Sequence, residues 1–214
     1  MRFLVSAGPT REPLDPVRFL SNRSTGKMGF ALAEAAAAAG HETVLVAGPV
    51  SLPTPSGVRR VDVVTAREML AALEREFGAA DVLLMAAAVA DWRPRETAAA
   101  KLKKAGMAPV IELEPNPDIL LALSRLRGGQ VMVGFAAETG NPAAEARRKL
   151  EAKGLDFICA NDVAQPGAGF GVDTNRVTVY GRGGFVEEIP LMSKRAVADR
   201  IVALAAACRK SKGE

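Results

Sequence analysis

Apolar runs of strand length alternate with helix-length segments along almost the whole of this chain, and few architectures accept that order. The strand-like runs are residues 2–6, 43–47, 58–63, 81–87, 110–113, 130–136 and 156–160. Between most of them lie helices with readable starts. An alanine-rich helix runs to about Ala39. Thr65 and Glu68 make the capping-box pair that opens a helix over Ala66–Phe77. Asn116-Pro117 and Asn141-Pro142 each place an N-cap residue before a proline at the first helical position. Ser193 caps a last helix reaching about Cys208, and residues 176–180 and 184–189 flank Gly181-Arg182-Gly183 as a hairpin. Units of this length predict an α/β, doubly wound fold: a mostly parallel sheet covered by helices on both faces, with a C-terminal β-hairpin and helix. No repeat or long linker interrupts the pattern, so residues 1–214 are expected to form one domain.

Composition narrows the function classes. The 214 residues are 49% hydrophobic, enough for one well-buried core. No apolar run nears the roughly 20 residues that span a bilayer, so no membrane segment is expected. Met1 leads straight into the first strand, without a charged leader and cleavage site. Cys159 and Cys208 lie far apart in apolar segments, which argues against a disulfide framework or a Cys-based metal site and for a reduced cytoplasm. The single histidine, His41, follows Gly40 at the apparent end of the first helix, where surface dipole capping is the expected role. With no other histidine, a Ser-His-Asp triad, a Cys-His pair and a His-rich zinc site are not expected. The chemistry falls to Lys, Arg, Asp, Asn and backbone amides.

Doubly wound sheets bind ligands beyond the carboxyl ends of their strands. Ser21-Asn22-Arg23-Ser24-Thr25-Gly26-Lys27-Met28-Gly29 joins the first strand to a helix start, where N–H groups converge on an anion. It is not a Walker loop, since Met28 stands where Ser or Thr must follow Lys27, and no G-x-G-x-x-G is present. Residues 92–110 carry Arg93, Arg95, Lys101, Lys103 and Lys104 against Glu96 alone, a surplus equal to the whole chain's net charge of +4. This Ala-, Gly- and Pro-rich stretch is expected to be a mobile flap closing over a polyanion, the alternative being a solvated surface loop. A nucleic-acid footprint would need cations spread over a face and aromatics to stack on, and aromatics are few. Asp91 suits a divalent cation bridging phosphates, or equally a cap or salt bridge. Lys149 and Lys153 share one helical face and, taken alone, read as solvated. Asn161-Asp162 reads equally well as turn chemistry.

In order over residues 6–163 the chain carries Ala7-Gly8-Pro9-Thr10-Arg11-Glu12, Asp15-Pro16-Val17-Arg18, the Ser21-to-Gly29 loop and Ala86-Ala87-Ala88-Val89-Ala90-Asp91-Trp92. Lys101-Leu102-Lys103-Lys104, Asn116-Pro117-Asp118-Ile119, Val133-Gly134-Phe135-Ala136-Ala137-Glu138-Thr139 and Ala160-Asn161-Asp162-Val163 follow. Each is weak alone. The ordered set resembles phosphopantothenoylcysteine synthetase, the bacterial CTP-dependent phosphopantothenate–cysteine ligase family of coenzyme A biosynthesis. Thr25 stands where Ser is more usual, and Trp92 where Tyr often is.

The resemblance implies a Rossmann-like sheet and a two-step reaction. CTP gives a cytidylyl group to the phosphopantothenate carboxylate with loss of pyrophosphate; the acyl-cytidylate then takes L-cysteine with loss of CMP. Positioning and electrostatics dominate such chemistry. The resemblance also implies roles. Lys101 stabilises charge at the α-phosphate, Asn22 holds the acyl-cytidylate for attack, and Asp91 orients the nucleotide or its Mg2+. Met85, Ala86 and Ala87, with Asn116, Pro117, Asp118 and Ile119, line the cytidine side. Phe135 flanks it, and Lys149 and Lys153 reach the triphosphate. Arg18 is a candidate for the substrate's phosphate, with a dimer interface as one route, and Ala88 lies with Asn22 on the substrate side. No residue is assigned to cysteine. A homodimer built partly by the 176–189 hairpin is implied. Bacterial members are often fused to an N-terminal flavin-dependent decarboxylase, and this chain fits either a free-standing synthetase or one half of such a fusion.

Two rivals predict other features. An NAD(P)-dependent Rossmann oxidoreductase needs a glycine fingerprint after the first strand and an acid ending the second, which instead ends Val46-Ala47-Gly48-Pro49. A non-catalytic nucleotide-binding subunit would bind CTP without turnover.

Overall fold

The computed structural model describes residues 1–103, 110–138, 142–162, 169 and 171–212. Lys104 in the basic stretch, the Asn141 cap, Thr139 and Val163 lie outside the described residues. In chain order the elements are β1 (Arg2–Ala7), β2 (Arg11–Pro13), β3 (Phe19–Ser21), α1 (Lys27–Ala38), β4 (Glu42–Ala47), β5 (Val58–Asp62), α2 (Ala66–Phe77) and β6 (Val82–Met85). Then come β7 (Trp92–Pro94), β8 (Leu113–Pro115), α3 (Ile119–Arg125), β9 (Val131–Glu138), α4 (Pro142–Ala152), β10 (Phe157–Asp162), β11 (Thr174–Gly181), β12 (Val186–Ser193) and α5 (Lys194–Ser211).

The main sheet runs β12-β11-β10-β9-β6-β1-β4-β5. The six strands from β10 to β5 are parallel, and β11 and β12 are antiparallel. From β1 the chain winds outward to β4 and β5, then crosses back to β6, β9 and β10. The direction of winding therefore reverses between β1 and β6, which opens a crevice at their carboxyl ends.

Successive residues of the central strands feed opposite cores. Phe3 and Val5 pack under α1 and α5, while Leu4 packs with α2, α3 and α4 on the other face. A strand buried on both faces has no polar side to show, which is why β1 and β6 read as continuous apolar runs. The capping box forms as the sequence predicts, with Glu68 N donating to Thr65 Oγ1 (3.2 Å) and Thr65 N to Glu68 Oε2 (3.3 Å). Ser193 Oγ accepts from Ala196 N (3.2 Å) at the start of α5. At the far end of α5, buried Asp156 gathers Lys212 (2.6 Å), Arg127 and the Met132 amide (2.8 Å). Burial alone would raise its carboxyl pKa, but the two cations and the amide outweigh that and hold it below the usual range. Cys159 on β10 is fully buried and Cys208 on α5 half-buried; burial pushes both thiols up.

Several expectations need correction. Residues 110–113 are not a sheet strand. Val110 is 73% exposed, and only Leu113–Pro115 pairs, with Trp92–Pro94, in a ribbon standing off the main sheet. A short apolar run signals a strand but not what will cover it. A second ribbon, β2–β3, occupies what reads in sequence as loop. The cap of α3 is Asp118, whose Oδ1 accepts from Leu121 N (3.1 Å); Asn116 points elsewhere, as described below. His41 closes α1 through its main chain, with Gly40 N donating to Ala37 O and His41 N to Ala36 O. Its ring, however, stacks on Phe3 at 4.8 Å. Burial, the N-terminal amine and Lys210 hold its pKa below the usual value, so it favours the neutral form and makes a poor cationic cap.

Candidate active site

The crevice is built by one loop and its clamps. After β6, residues 86–91 turn over the ends of β1 and β9 and are fixed by buried hydroxyls. Ser6 Oγ accepts from Ala87 N (3.1 Å), and Thr10 Oγ1 accepts from Ala90 N (3.0 Å). Ser6 and Thr10 are both fully buried, so each bond replaces water the loop would otherwise need. Ser6 ends an apolar run and Thr10 sits in the Ala7-to-Glu12 motif, but neither signal marks a clamp on a distant loop. Ala88 O accepts from Thr10 N (3.3 Å) and from Asn22 Nδ2 (2.9 Å), which seats Asn22 against the loop.

Asn116 closes the other side. Its N donates to Asp91 O (2.8 Å), its Nδ2 to Ala90 O (2.9 Å), and its Oδ1 accepts from Arg93 (3.1 Å). This explains why it does not cap α3: the side chain is spent holding the 86–91 loop. Asp118, freed for capping, also pairs through Oδ2 with Lys153 (3.1 Å). Lys149 stands one turn earlier on α4, 3.7 Å from Glu145. Glu145 in turn is drawn down to about 2, first by Arg148 and then by Lys149.

The result is a cleft of about 360 Å³, within the size range of ligand sites. Asn22, Asp91, Asn116, Asp118, Lys149 and Lys153 all face it, with Met85, Ala87, Ala88, Pro117, Ile119 and Phe135 forming its apolar walls. Ala86 lines a smaller pocket behind the loop. Both carboxylates of the cleft, Asp91 and Asp118, are exposed, and no group of three or more His, Cys, Asp or Glu among the described residues could hold a metal by itself. That donor set fits Mg2+ carried in by a polyphosphate, which takes one or two carboxylates and keeps water and phosphate oxygens as its other ligands.

Two expected site residues are elsewhere. Arg18 chelates Asp15 through Nε (3.0 Å) and Nη2 (2.6 Å) and reaches Leu102 O (3.0 Å). Arg18 first, aided by backbone amides, holds the Asp15 carboxyl far below the usual range. Lys101, next to Leu102, is exposed and lines neither cavity. Its neighbours are tied to the β2–β3 ribbon by Ala98 N to Leu14 O (3.0 Å), Thr97 Oγ1 to Pro13 O (3.0 Å) and Leu102 N to Asp15 Oδ2 (3.2 Å). The basic stretch is also less charged than residues 92–110 taken alone suggest. Arg93 pairs with Glu114 (2.7 Å) and Arg95 with Glu112 (2.9 Å), acids that arrive only on the returning strand.

With this geometry in place, the chain can be set beside known proteins. Residues 1–208 match the family described as the DNA/pantothenate metabolism flavoprotein C-terminal domain. The chain belongs to that family. It is 46% identical over 212 residues to the coenzyme A biosynthesis bifunctional protein CoaBC of Bacillus subtilis (strain 168), covering 99% of this chain and 52% of the relative. The chain thus spans about half the length of that curated relative. The crystal structure of the C-terminal domain of a CoaBC superposes with a TM-score of 0.83 at 40% identity, over 100% of this chain and 96% of that one. A Cab2 variant in complex with phosphopantothenate-cysteine shares the fold at 17% identity, with a TM-score of 0.82 and coverage of 99% and 87%.

Proposed function

We propose that this chain is a ligase of coenzyme A biosynthesis that joins L-cysteine to 4'-phosphopantothenate through an acyl-cytidylate formed from CTP. The observation that carries this reading is the convergence of Asn22, Asp91, Lys149 and Lys153 on one cleft at the switch point of the sheet. Membership of a coenzyme A biosynthesis family supports the same class.

The nucleotide lies along the Asn116–Ile119 side, its phosphates toward Lys149 and Lys153. Asp91 is the residue to hold a phosphate-borne Mg2+, which when bound would neutralise charge on those oxygens. The substrate carboxylate oxygen attacks the α-phosphorus, the bond to the bridging oxygen breaks, and pyrophosphate leaves with the electron pair. Lysine cations fixed before this step stabilise its charge without reorganising. For Lys101 to reach the α-phosphate, the segment around it has to close over the cleft from its seat on Asp15 and Arg18. In the second step Asn22 Nδ2 donates to the acyl oxygen while the cysteine amine displaces CMP.

Pyrophosphate should appear only when CTP and phosphopantothenate are both present. Run in parallel with ATP, the assay also reports base choice. Release that depends on neither substrate would reject the ligase.

We assign the self-association to the two ribbons rather than to the β11–β12 hairpin alone. Val17 (59% exposed), Phe19 (47%), Trp92 (54%) and Leu113 (45%) gather there, a density of exposed apolar side chains that marks an interface. A partner's ribbon is also the route by which Arg18 meets a substrate. Sedimentation at micromolar concentration should give a dimer that Phe19→Asp dissociates; an unchanged dimer would return the interface to the hairpin. A reducing cytoplasm and a fused or associated flavin-dependent decarboxylase complete the proposal.

A further inference from the structure

Arg93 touches the wall of the cleft without lining it. Strand alternation on β7 leaves Trp92 exposed and turns Arg93 the other way, its side chain only 15% exposed. Three acceptors meet the guanidinium there. Nη2 pairs with Glu114 (2.7 Å), the residue directly across the ribbon. Nη1 donates to Pro115 O (2.6 Å) and to Asn116 Oδ1 (3.1 Å). An arginine carries donors only, so the Asn116 atom that faces it has to be the amide oxygen. That choice leaves Nδ2 for Ala90 O (2.9 Å), while the Asn116 main-chain N donates to Asp91 O (2.8 Å). Ala90 is thereby gripped at both ends, its N by Thr10 Oγ1 (3.0 Å) and its O by Asn116.

We propose that Arg93 is a positioning residue for nucleotidyl transfer, acting through the Asn116 amide on the backbone that aims Asp91 into the cleft. This rests on the ligase reading. Arg93 brings no net charge to a triphosphate, because Glu114 answers it and it stands outside the cleft. What it supplies is the orientation of one amide. Without the guanidinium, Oδ1 loses its donor and the Asn116 side chain holds the loop by a single bond. The peptide units of Ala90 and Asp91 then sample a wider range of angles, and the carboxylate at the end of the loop swings with them. A charged group held loosely still binds, but it is rarely in the geometry that the transition state needs. The loss therefore falls on the rate of the first step and spares affinity for the nucleotide. A direct contact from Arg93 to phosphate predicts the opposite, a loss of affinity.

Arg93→Met keeps the apolar stem and removes the fork. With CTP and phosphopantothenate saturating, its pyrophosphate burst should be slower by about 10-fold or more. The CTP dissociation constant, measured by calorimetry, should stay within about three-fold of the parent. Arg93→Lys keeps a charge for Glu114 but cannot span both Pro115 O and Asn116 Oδ1, so its burst should fall between the two. It carries the same comparison if Arg93→Met does not fold. Asn116→Ala should slow the burst to a similar extent, and adding Arg93→Met to it should cost no more than about a further two-fold, since both changes break one brace. Losses that multiply in the double variant would overturn the assignment, as would an Arg93→Met burst at the parent rate. CTP affinity falling in step with the rate would also overturn it, making Arg93 a nucleotide ligand. No burst in the parent protein would instead remove the ligase reading itself.

Discussion

Asn22→Asp should lower coupled turnover by at least about 100-fold while leaving one pyrophosphate per site released, the size expected when a donor to a developing oxyanion is lost. Asn22 Nδ2 donates to Ala88 O at 2.9 Å, so a carboxylate there would face a carbonyl oxygen, acceptor against acceptor. The nucleotide end is spared, because Asp91, Lys149 and Lys153 reach the cleft from other elements. Mass spectrometry of quenched mixtures should therefore find the acyl-cytidylate waiting. Should the burst vanish along with turnover, Asn22 belongs to the first step and its place in the second is wrong.

The second large effect is on folding. Gly48 follows β4, and a Cβ built on it would lie 1.9 Å from Pro9 O. Pro9 cannot retreat cheaply, since it bridges to Ala88 and its neighbours Gly8 and Thr10 bond the same loop. Gly48→Ala should cost roughly 3 kcal/mol or more, by overpacking against backbone. Gly78→Ala is the internal control: φ is −60°, the conformation is helical, and nothing lies within 4 Å. It should be neutral or stabilising by up to about 1 kcal/mol. Urea midpoints at constant slope measure both. Equal midpoints would mean that the close approach of Gly48 to Pro9 is absent in solution.

What the sequence makes legible follows from how local the signal is. Thr65 with Glu68 defines a cap within four residues, and α2 starts there. Phe3, Leu4 and Val5 report burial on two faces, hence a central parallel strand. Most of the residues that the family resemblance names line one cleft. The differences in placement are all non-local. Asn116 and Asp118 are both good caps, and only the 86–91 loop's need for partners decides between them. Lys101 and Arg18 carry the right charge, but Asp15 fixes both segments away from the cleft. Asn175 sits one residue outside the strand its neighbours announce, so its burial cannot be guessed.

Cys159 and Cys208 have one further meaning. Thiolate is the species that attacks disulfides, and both sulfurs are held as thiols, one of them fully enclosed. On the ligase reading proposed above, the chain would work among cystine and mixed disulfides. Here it has no ready sulfur of its own for them to capture.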